Sequence, residues 1–477
     1  PRSTLFPYTT LFRSEEEIQQ KVESTGKTRV VCRSGDPMDM ADLSIASLNT
    51  AKAIVVLSPG GDDPDAEVIK IVLAIVNHPK RRSEPYHIVA EIYDPKNMES
   101  ARVAGGDEVE WVLVGDFVAR VIAQTCRQSG LSVVYTELMD FGGDEIYFTQ
   151  QPSLVGRRFG ETLGAFESNT VMGISYPDGT ACLNPPMDTV LRTEDRLVVI
   201  AEDDDKILLT VGKPQNVHEA LIVSQRSSIP QPEKTLVLGW NKRGAAIIRE
   251  LDHYVAMGSS VLIVADVEGV EEDLRACCPD LETQVVTWQK GDSTSRRLLD
   301  ALELAQYNHV IVLCYSDTLS PQQADARTIV TLLHLRDIAE KQHLKFGIVS
   351  EMLDVRNRNL ADVTRADDFI VSDKLVSLMM AQISENKYLN SVLGDMFDPE
   401  GSEIYLKPVE DYVQTGKPVN FYTVVEAARR YGEVAIGYRR TQFAKEAEQS
   451  YGVKINPNKA DEVTFAPGDR IVVIAEE

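Results

Sequence analysis

The 477-residue sequence has no long apolar run; its most apolar segment, Val68–Val76, is interrupted by Lys70. That falls well short of the roughly 18–20 apolar residues a membrane-spanning helix needs. Paired metal-binding motifs are also missing. The six cysteines (Cys32, Cys126, Cys182, Cys277, Cys278, Cys314) form no C-x-x-C, and the seven histidines form no H-E-x-x-H. Such spacing excludes the usual zinc clamps and reads as reduced thiols, with Cys277–Cys278 incidental. Positive charge is scarce: 49 Lys+Arg against 73 Asp+Glu give a net charge of −24. A surface this acidic repels phosphate backbones, and the basic patch Lys80–Arg82 is too short to change that, so no nucleic-acid partner is expected. The sequence has no G-x-S-x-G elbow, no cysteine near a histidine and no G-K-[ST] after a glycine loop. No catalytic constellation is therefore expected.

The chain should nonetheless fold, since 43% of it is hydrophobic and 26% charged, close to average globular usage. Its first 14 residues, PRSTLFPYTTLFRS, repeat T-L-F and lack helix or strand periodicity. They read as translated sequencing-adaptor text, and the natural N-terminus is expected to lie upstream.

The remainder repeats itself. Gly35–Leu57 aligns without a gap on Gly291–Leu313, and His87–Asp94 on Gly347–Asp354. Asp144–Phe148 then matches Ser402–Leu406, and Glu194–Glu202 matches Gly468–Glu476. Four blocks in one order mean two homologous halves. Apolar, β-branched runs (Ala53–Leu57, Ile88–Ile92, Glu110–Val114) alternate with helical patterns (Asp65–Val76, Asn97–Ala104, Asp116–Gln128). This alternation predicts βαβ crossovers and a doubly wound parallel sheet, an α/β fold. After residue 142 short strands punctuated by Pro152, Pro177, Pro185 and Pro186 predict a small α+β subdomain. The expected organisation is a first Rossmann-like lobe at 15–141 and its C-terminal subdomain at 142–205. A linker at 206–233, a second lobe at 234–398 and its C-terminal subdomain at 399–477 follow. Only the second half opens with strand, glycine turn, helix, strand and acid (Thr235–Leu238, Gly239–Gly244, Val261–Val264, Asp266). The first half has no counterpart of this unit.

Two candidate sites follow. In the glycine loop, Gly239, Asn241, Gly244 and Asp266 stand where a dinucleotide fingerprint would place its residues. Asn241 occupies the place of the middle glycine and would crowd the phosphates, so a tight turn is the favoured reading and a nucleotide is not expected. At the carboxyl edge of the first sheet, Asp62, Asp63 and Asp65 follow one strand and Glu91 and Asp94 end the next. Open α/β sheets bind ligands at that edge, and converging carboxylates suit Ca²⁺; solvated surface is the plainer alternative. Asp317, Glu351 and Asp354 hold the matching places in the second half, and Glu202–Asp205 reads as a charged linker. The helices at Phe117–Cys126 and Lys374–Ile383 are apolar on more than one face, which suits a core helix or, preferably, an interface with a second copy.

Several segments together carry a resemblance: V-V-C-R-S-G-D-P-M-D-M-A-D-L, K-A-I-V-V-L, V-L-R-T-E-D-R-L-V-V-I-A-E-D-D-D, V-L-G-W, F-I-V-S-D-K-L-V-S-L-M-M-A-Q-I-S-E-N-K and the ending D-R-I-V-V-I-A-E. In this order, from about Arg29 to Glu477, they resemble the CASTOR/POLLUX ion-channel family. The resemblance implies two tandem RCK domains (regulators of K⁺ conductance), each a Rossmann-like lobe with an α+β C-terminal subdomain. It further implies a homo-tetrameric gating ring on the cytosolic face of a membrane, joined to a pore domain that this sequence lacks. In the plant members the ring responds to Ca²⁺, so Ca²⁺ is the implied ligand. Two other readings stand beside it: a soluble nucleotide-sensing subunit of a K⁺ transporter, and an NAD-dependent enzyme. Asn241 and the lack of paired catalytic groups weigh against the latter.

Overall fold

The computed structural model describes residues 30–59, 63–210, 216–224, 231–344, 346–354, 356–357, 368–398 and 401–476. The 1–14 segment and Asp62 lie outside them. Strands β1 (Ile54–Val56), β2 (Ile88–Ile92) and β3 (Val109–Leu113) pair in parallel in that order. β2 is buried along its whole length, as a central parallel strand with apolar residues on both faces should be. The crossover helix Pro64–Val76 begins where the Asp63 carboxylate accepts the Ala66 N–H and Pro64 occupies the first turn. It buries Val68, Ile71, Val72 and Ile75, a three-and-four spacing that aims one stripe at the sheet.

Next come β4 (Glu145–Thr149), β5 (Thr170–Ser175), β6 (Ala181–Leu183) and β7 (Arg196–Ala201), an antiparallel sheet of order β4-β7-β5-β6. A six-stranded parallel sheet follows, built from β8 (Lys234–Leu238), β9 (Ser259–Ala265), β10 (Gln284–Lys290), β11 (His309–Val312), β12 (Gly347–Met352) and β13 (Asp368–Val371). Its order is β10-β9-β8-β11-β12-β13, with the chain reversing direction of travel between β8 and β11. The last segment holds β14 (Glu403–Pro408), β15 (Pro418–Asn420), β16 (Val434–Arg439), β17 (Val453–Ile455), β18 (Glu462–Thr464) and β19 (Arg470–Ala475). Four of these form a sheet of order β14-β19-β16-β17.

The duplication is thus visible in the topology. β1–β3 repeat β11–β13, and the two small antiparallel sheets share one strand order. They share a defect as well. β5 is bulged before Gly173 and β16 before Gly437. A Cβ at these glycines would lie 2.3 Å from the Cys182 carbonyl oxygen and 2.4 Å from that of Lys454. Each bulge brings backbone against backbone, which only glycine allows. Among the described residues of the first half nothing answers to β8–β10.

The chain forms two compact units: residues up to Val118 with Val376–Asn390, and Ala119–Leu375 with Ser391–Glu477. The boundary therefore falls inside the helices Val114–Arg127 and Ser372–Glu385, not between the repeats. In the first unit the returning segment is tied by an ion pair from Lys52 to Glu385 and by Asn390 Nδ2 donating to Glu110 at 2.7 Å. Val118, Ala119, Val121, Ile122, Ala123 and Ile383 are wholly buried within this one chain.

Within the second unit the two small subdomains are locked together. Asn456 accepts from Thr170 and donates to the Ser168 carbonyl, and the Lys459 N–H donates to the Glu167 carbonyl. The Lys459 ammonium is fully buried and donates to the carbonyl oxygens of Phe166 and Asn169. Burial pushes its pKa down to about 7. Unfolded lysine titrates near ~10.4, so between these values the unfolded chain holds the extra proton and stability rises with pH. Unfolding free energy measured by urea titration from pH 7 to 9 should climb more steeply for the natural chain than for Lys459→Met, by up to about 1.4 kcal/mol per pH unit. Parallel curves would mean that Lys459 stays charged.

Candidate functional site

The glycine loop between β8 and the helix Gly244–Tyr254 is filled by its own side chains. Gly239 has φ +91°, and a Cβ there would lie 2.2 Å from the Leu313 carbonyl oxygen. A Cβ on Gly244 would lie 2.6 Å from the Trp240 ring. Both glycines therefore serve close packing around the turn. Asn241 is buried and donates at 2.8 Å to both the Cys314 carbonyl and Glu351 Oε2. The amides that would cradle a phosphate are taken: Lys242 N–H by Asp317 at 2.6 Å, Arg243 N–H by Asn241 Oδ1 at 3.0 Å, and Gly244 N–H by the Asn241 carbonyl at 2.8 Å. Asp266 lies exposed past the end of β9, where its own N–H donates to the Tyr315 hydroxyl.

Glu351 is the centre of this edge. It is 1% exposed, yet it accepts from Asn241, from Arg243 Nη2 at 2.5 Å, from Cys314 Sγ at 3.1 Å and from Ser372 Oγ at 3.0 Å. Burial alone would raise its pKa. The Arg243 charge and these hydrogen bonds more than offset that, and the carboxyl titrates below its usual range. Burial raises the Cys314 thiol well above its ordinary value, so it stays protonated and donates. Sequence reasoning gave Glu351 a place but missed Arg243, which sits at an unconstrained position of the loop and carries no spacing signal.

At the matching edge of the first sheet the predicted acids are separately engaged. Asp63 caps its helix by accepting from Ala66 at 3.3 Å. Asp65 is 2% exposed and accepts from the Tyr93 and Asp94 N–H groups at 2.9 and 3.0 Å and from Asn97 Nδ2 at 2.8 Å. Glu91 accepts from the Ser58 N–H. Asp94 accepts from the Lys96 N–H at 3.0 Å and pairs with its ammonium at 2.5 Å. Among the described residues no three acidic, histidine or cysteine side chains are grouped so as to hold a metal ion. Asp65 and Asp94 do come together, but with a peptide N–H between them. Ca²⁺ needs about six to eight free oxygen donors, and Asp65, Glu91 and Asp94 in this geometry do not fit such a shell.

Comparison with known proteins places these observations. The family described as "Castor and Pollux, part of voltage-gated ion channel" matches residues 115–217. The chain is 30% identical to the probable ion channel CASTOR of rice (Oryza sativa subsp. japonica), over 94% of its own length and 54% of that protein. It is also 30% identical to the probable ion channel POLLUX of Arabidopsis thaliana, over 94% of its length and 58% of the relative. Along 94% of its length the chain is thus similar to the CASTOR/POLLUX ion channels. It spans about half the length of these curated relatives.

Its structure resembles the human SLO3 gating ring with a TM-score of 0.66 at 14% identity, covering 94% of this chain and 91% of that one. The chain thus shares the fold of that structure: Rossmann-like parallel sheets, each followed by a small antiparallel sheet. No helix among its described residues is long and apolar enough to cross a membrane.

Glu351→Ala would leave the Arg243 guanidinium and the Asn241 amide without their buried acceptor, a loss of about 3–5 kcal/mol. The urea midpoint reported by Trp240, which is 4% exposed beside this loop, should fall accordingly. An unshifted midpoint would show that the pair contributes nothing. Because the loop amides are occupied, millimolar NAD⁺ or NADH should leave the melting temperature unchanged, since a ligand bound only by the folded state must raise it. A saturable rise abolished by Lys242→Glu, on the loop itself, would establish a dinucleotide site there.

Proposed function

We propose that this chain is the regulatory gating ring of a CASTOR/POLLUX-type cation channel, assembled as a homo-tetramer on the cytosolic face of the membrane that holds its pore. The observation that supports this reading is the coincidence of two copies of one Rossmann-like unit, each followed by the same bulged sheet, with family resemblance along 94% of the chain. Under this reading a ligand acts without covalent chemistry. It binds one conformation of the ring more tightly than the other and shifts the closed–open equilibrium by that difference. Moving a pore from 1:99 to 99:1 takes about 10⁴-fold discrimination, or about tenfold at each of four equivalent sites. Ca²⁺ is the ligand that the family resemblance implies. Because Asp65, Glu91 and Asp94 are engaged as backbone acceptors, no step is assigned to it through them.

Native mass spectrometry of the purified 477-residue chain tests the assembly. A tetramer that persists on dilution is the expected result, whereas a monomer at every concentration would overturn the gating-ring reading.

A further inference from the structure

The second unit contains a cavity of about 590 Å³ whose charge runs against that of the molecule. In a chain of net charge −24, four cations line it: Arg127, Arg439, Lys445 and Arg470. Its carboxylate, Asp368, is already held by the Gly130 N–H at 2.8 Å and the Ser132 hydroxyl. Arg127 is paired with Glu233 at 3.2 Å. Arg470 and Lys445 make no ion pair with the described residues.

Two of them are forced together. Arg439 on β16 and Arg470 on β19 are directly opposed in the antiparallel ladder, a position where like charges destabilise a sheet. Arg439 is 8% exposed; its guanidinium donates to the carbonyls of Ser129 and Tyr451. It lies so close to Gly130, at φ +93°, that a Cβ there would meet its Nη1 at 2.3 Å. Arg470 is half-buried and makes no ion pair or side-chain hydrogen bond with the described residues. The other half of the molecule supplies the control. At the same ladder position β5 and β7 oppose Ser175 to Arg196, and the arginine donates to the serine hydroxyl at 3.4 Å. One copy of the repeat therefore opposes a serine to an arginine where the other opposes two arginines at a cavity.

We infer that this cavity is a binding site for a small organic polyanion, held by the Arg439–Arg470 pair and Lys445. Arginine forks match phosphate and carboxylate oxygens in pairs, and an anion between them converts their repulsion into two charge-assisted contacts. The walls contributed by Val133, Phe369, Leu406 and Tyr451 leave room for an apolar or ring portion, and the volume suits a metabolite-sized ligand. The site is separate from both sheet edges discussed above and stands whether or not the chain gates a pore.

Titration calorimetry on the whole chain tests this, with inorganic pyrophosphate and citrate as separate probes against sodium chloride of matched ionic strength. At least one probe should bind saturably, and which one does so distinguishes a phosphate from a polycarboxylate ligand. Arg470→Gln should weaken that binding at least tenfold while melting no lower than the natural chain in the absence of probe, because it also removes the like-charge contact. Arg196→Gln, at the cognate position, should bind as the natural chain does. If Arg470→Gln does not fold, the exposed Lys445→Gln decides, with a several-fold weakening expected. Binding by neither probe, equal effects of chloride, undiminished affinity in the Arg470 or Lys445 variant, or equal losses in the Arg470 and Arg196 variants would each overturn the assignment.

Discussion

In both halves of the chain a buried aspartate near the start of a crossover helix holds the loop that leaves the next strand. Asp65 takes the N–H groups of Tyr93 and Asp94 and the amide of Asn97. Asp325, at 0% exposure, takes those of Leu353 and Asp354 and the amide of Asn357. Three donors per carboxylate repay its burial, and the helix start adds a favourable field. With that loop fixed, the carboxyl end of the neighbouring strand is fixed too, and so are Glu91 and Glu351, two residues before the bonded pairs. The geometry of each sheet edge depends on this one constraint, which explains why it is duplicated down to the asparagine.

The same constraint decides what these edges are able to do. Open α/β sheets commonly bind ligands there because backbone N–H groups and strand-end side chains point into a vacant crevice. Here the crevice of the second sheet is occupied by Asn241, Arg243, Cys314 and Ser372 converging on Glu351. A nucleotide would have to displace a buried ion pair and a capped loop, exposing a desolvated carboxylate in the process. The second edge works as a fastening between β8, β11, β12 and the helix Ser372–Glu385.

Much of this architecture was legible in the sequence. Parallel strands such as Ile88–Ile92 are apolar on both faces and stand out as runs, and the repeat itself follows from matched blocks. Gly239–Gly244 reads as a tight turn because Asn241 breaks the dinucleotide pattern, and the structure fills that turn with its own side chains. The acids were harder. Asp63, Asp65, Glu91 and Asp94 have a spacing that brings them to one edge, but spacing does not tell whether a carboxylate faces a cation or a peptide N–H. Nor does it reveal that the helices Val114–Arg127 and Ser372–Glu385 each begin in one compact unit and end in the other, since that depends on which side chains meet in three dimensions. Arg439 and Arg470 were invisible for the same reason: they are 31 positions apart and become neighbours only through ladder register.

Divergence between the copies separates structural from regulatory roles. Features that maintain the fold are present twice: the aspartate clasp, the bulge glycine, the strand order. Features that change between copies cannot be required by the fold, since the other copy folds without them. Ser175 became Arg439, or the reverse, while Arg196 and Arg470 were both kept. A polar group that is fully satisfied by its own chain resists a ligand, because binding must first break what exists. Two arginines held opposite each other have the contrary property: an anion between them relieves their mutual repulsion. In a molecule whose sheet edges are closed by their own side chains, Arg470, which makes no ion pair with the described residues, is where an external anion gains free energy relative to the empty state. That difference is the quantity that any switch between conformations must draw upon.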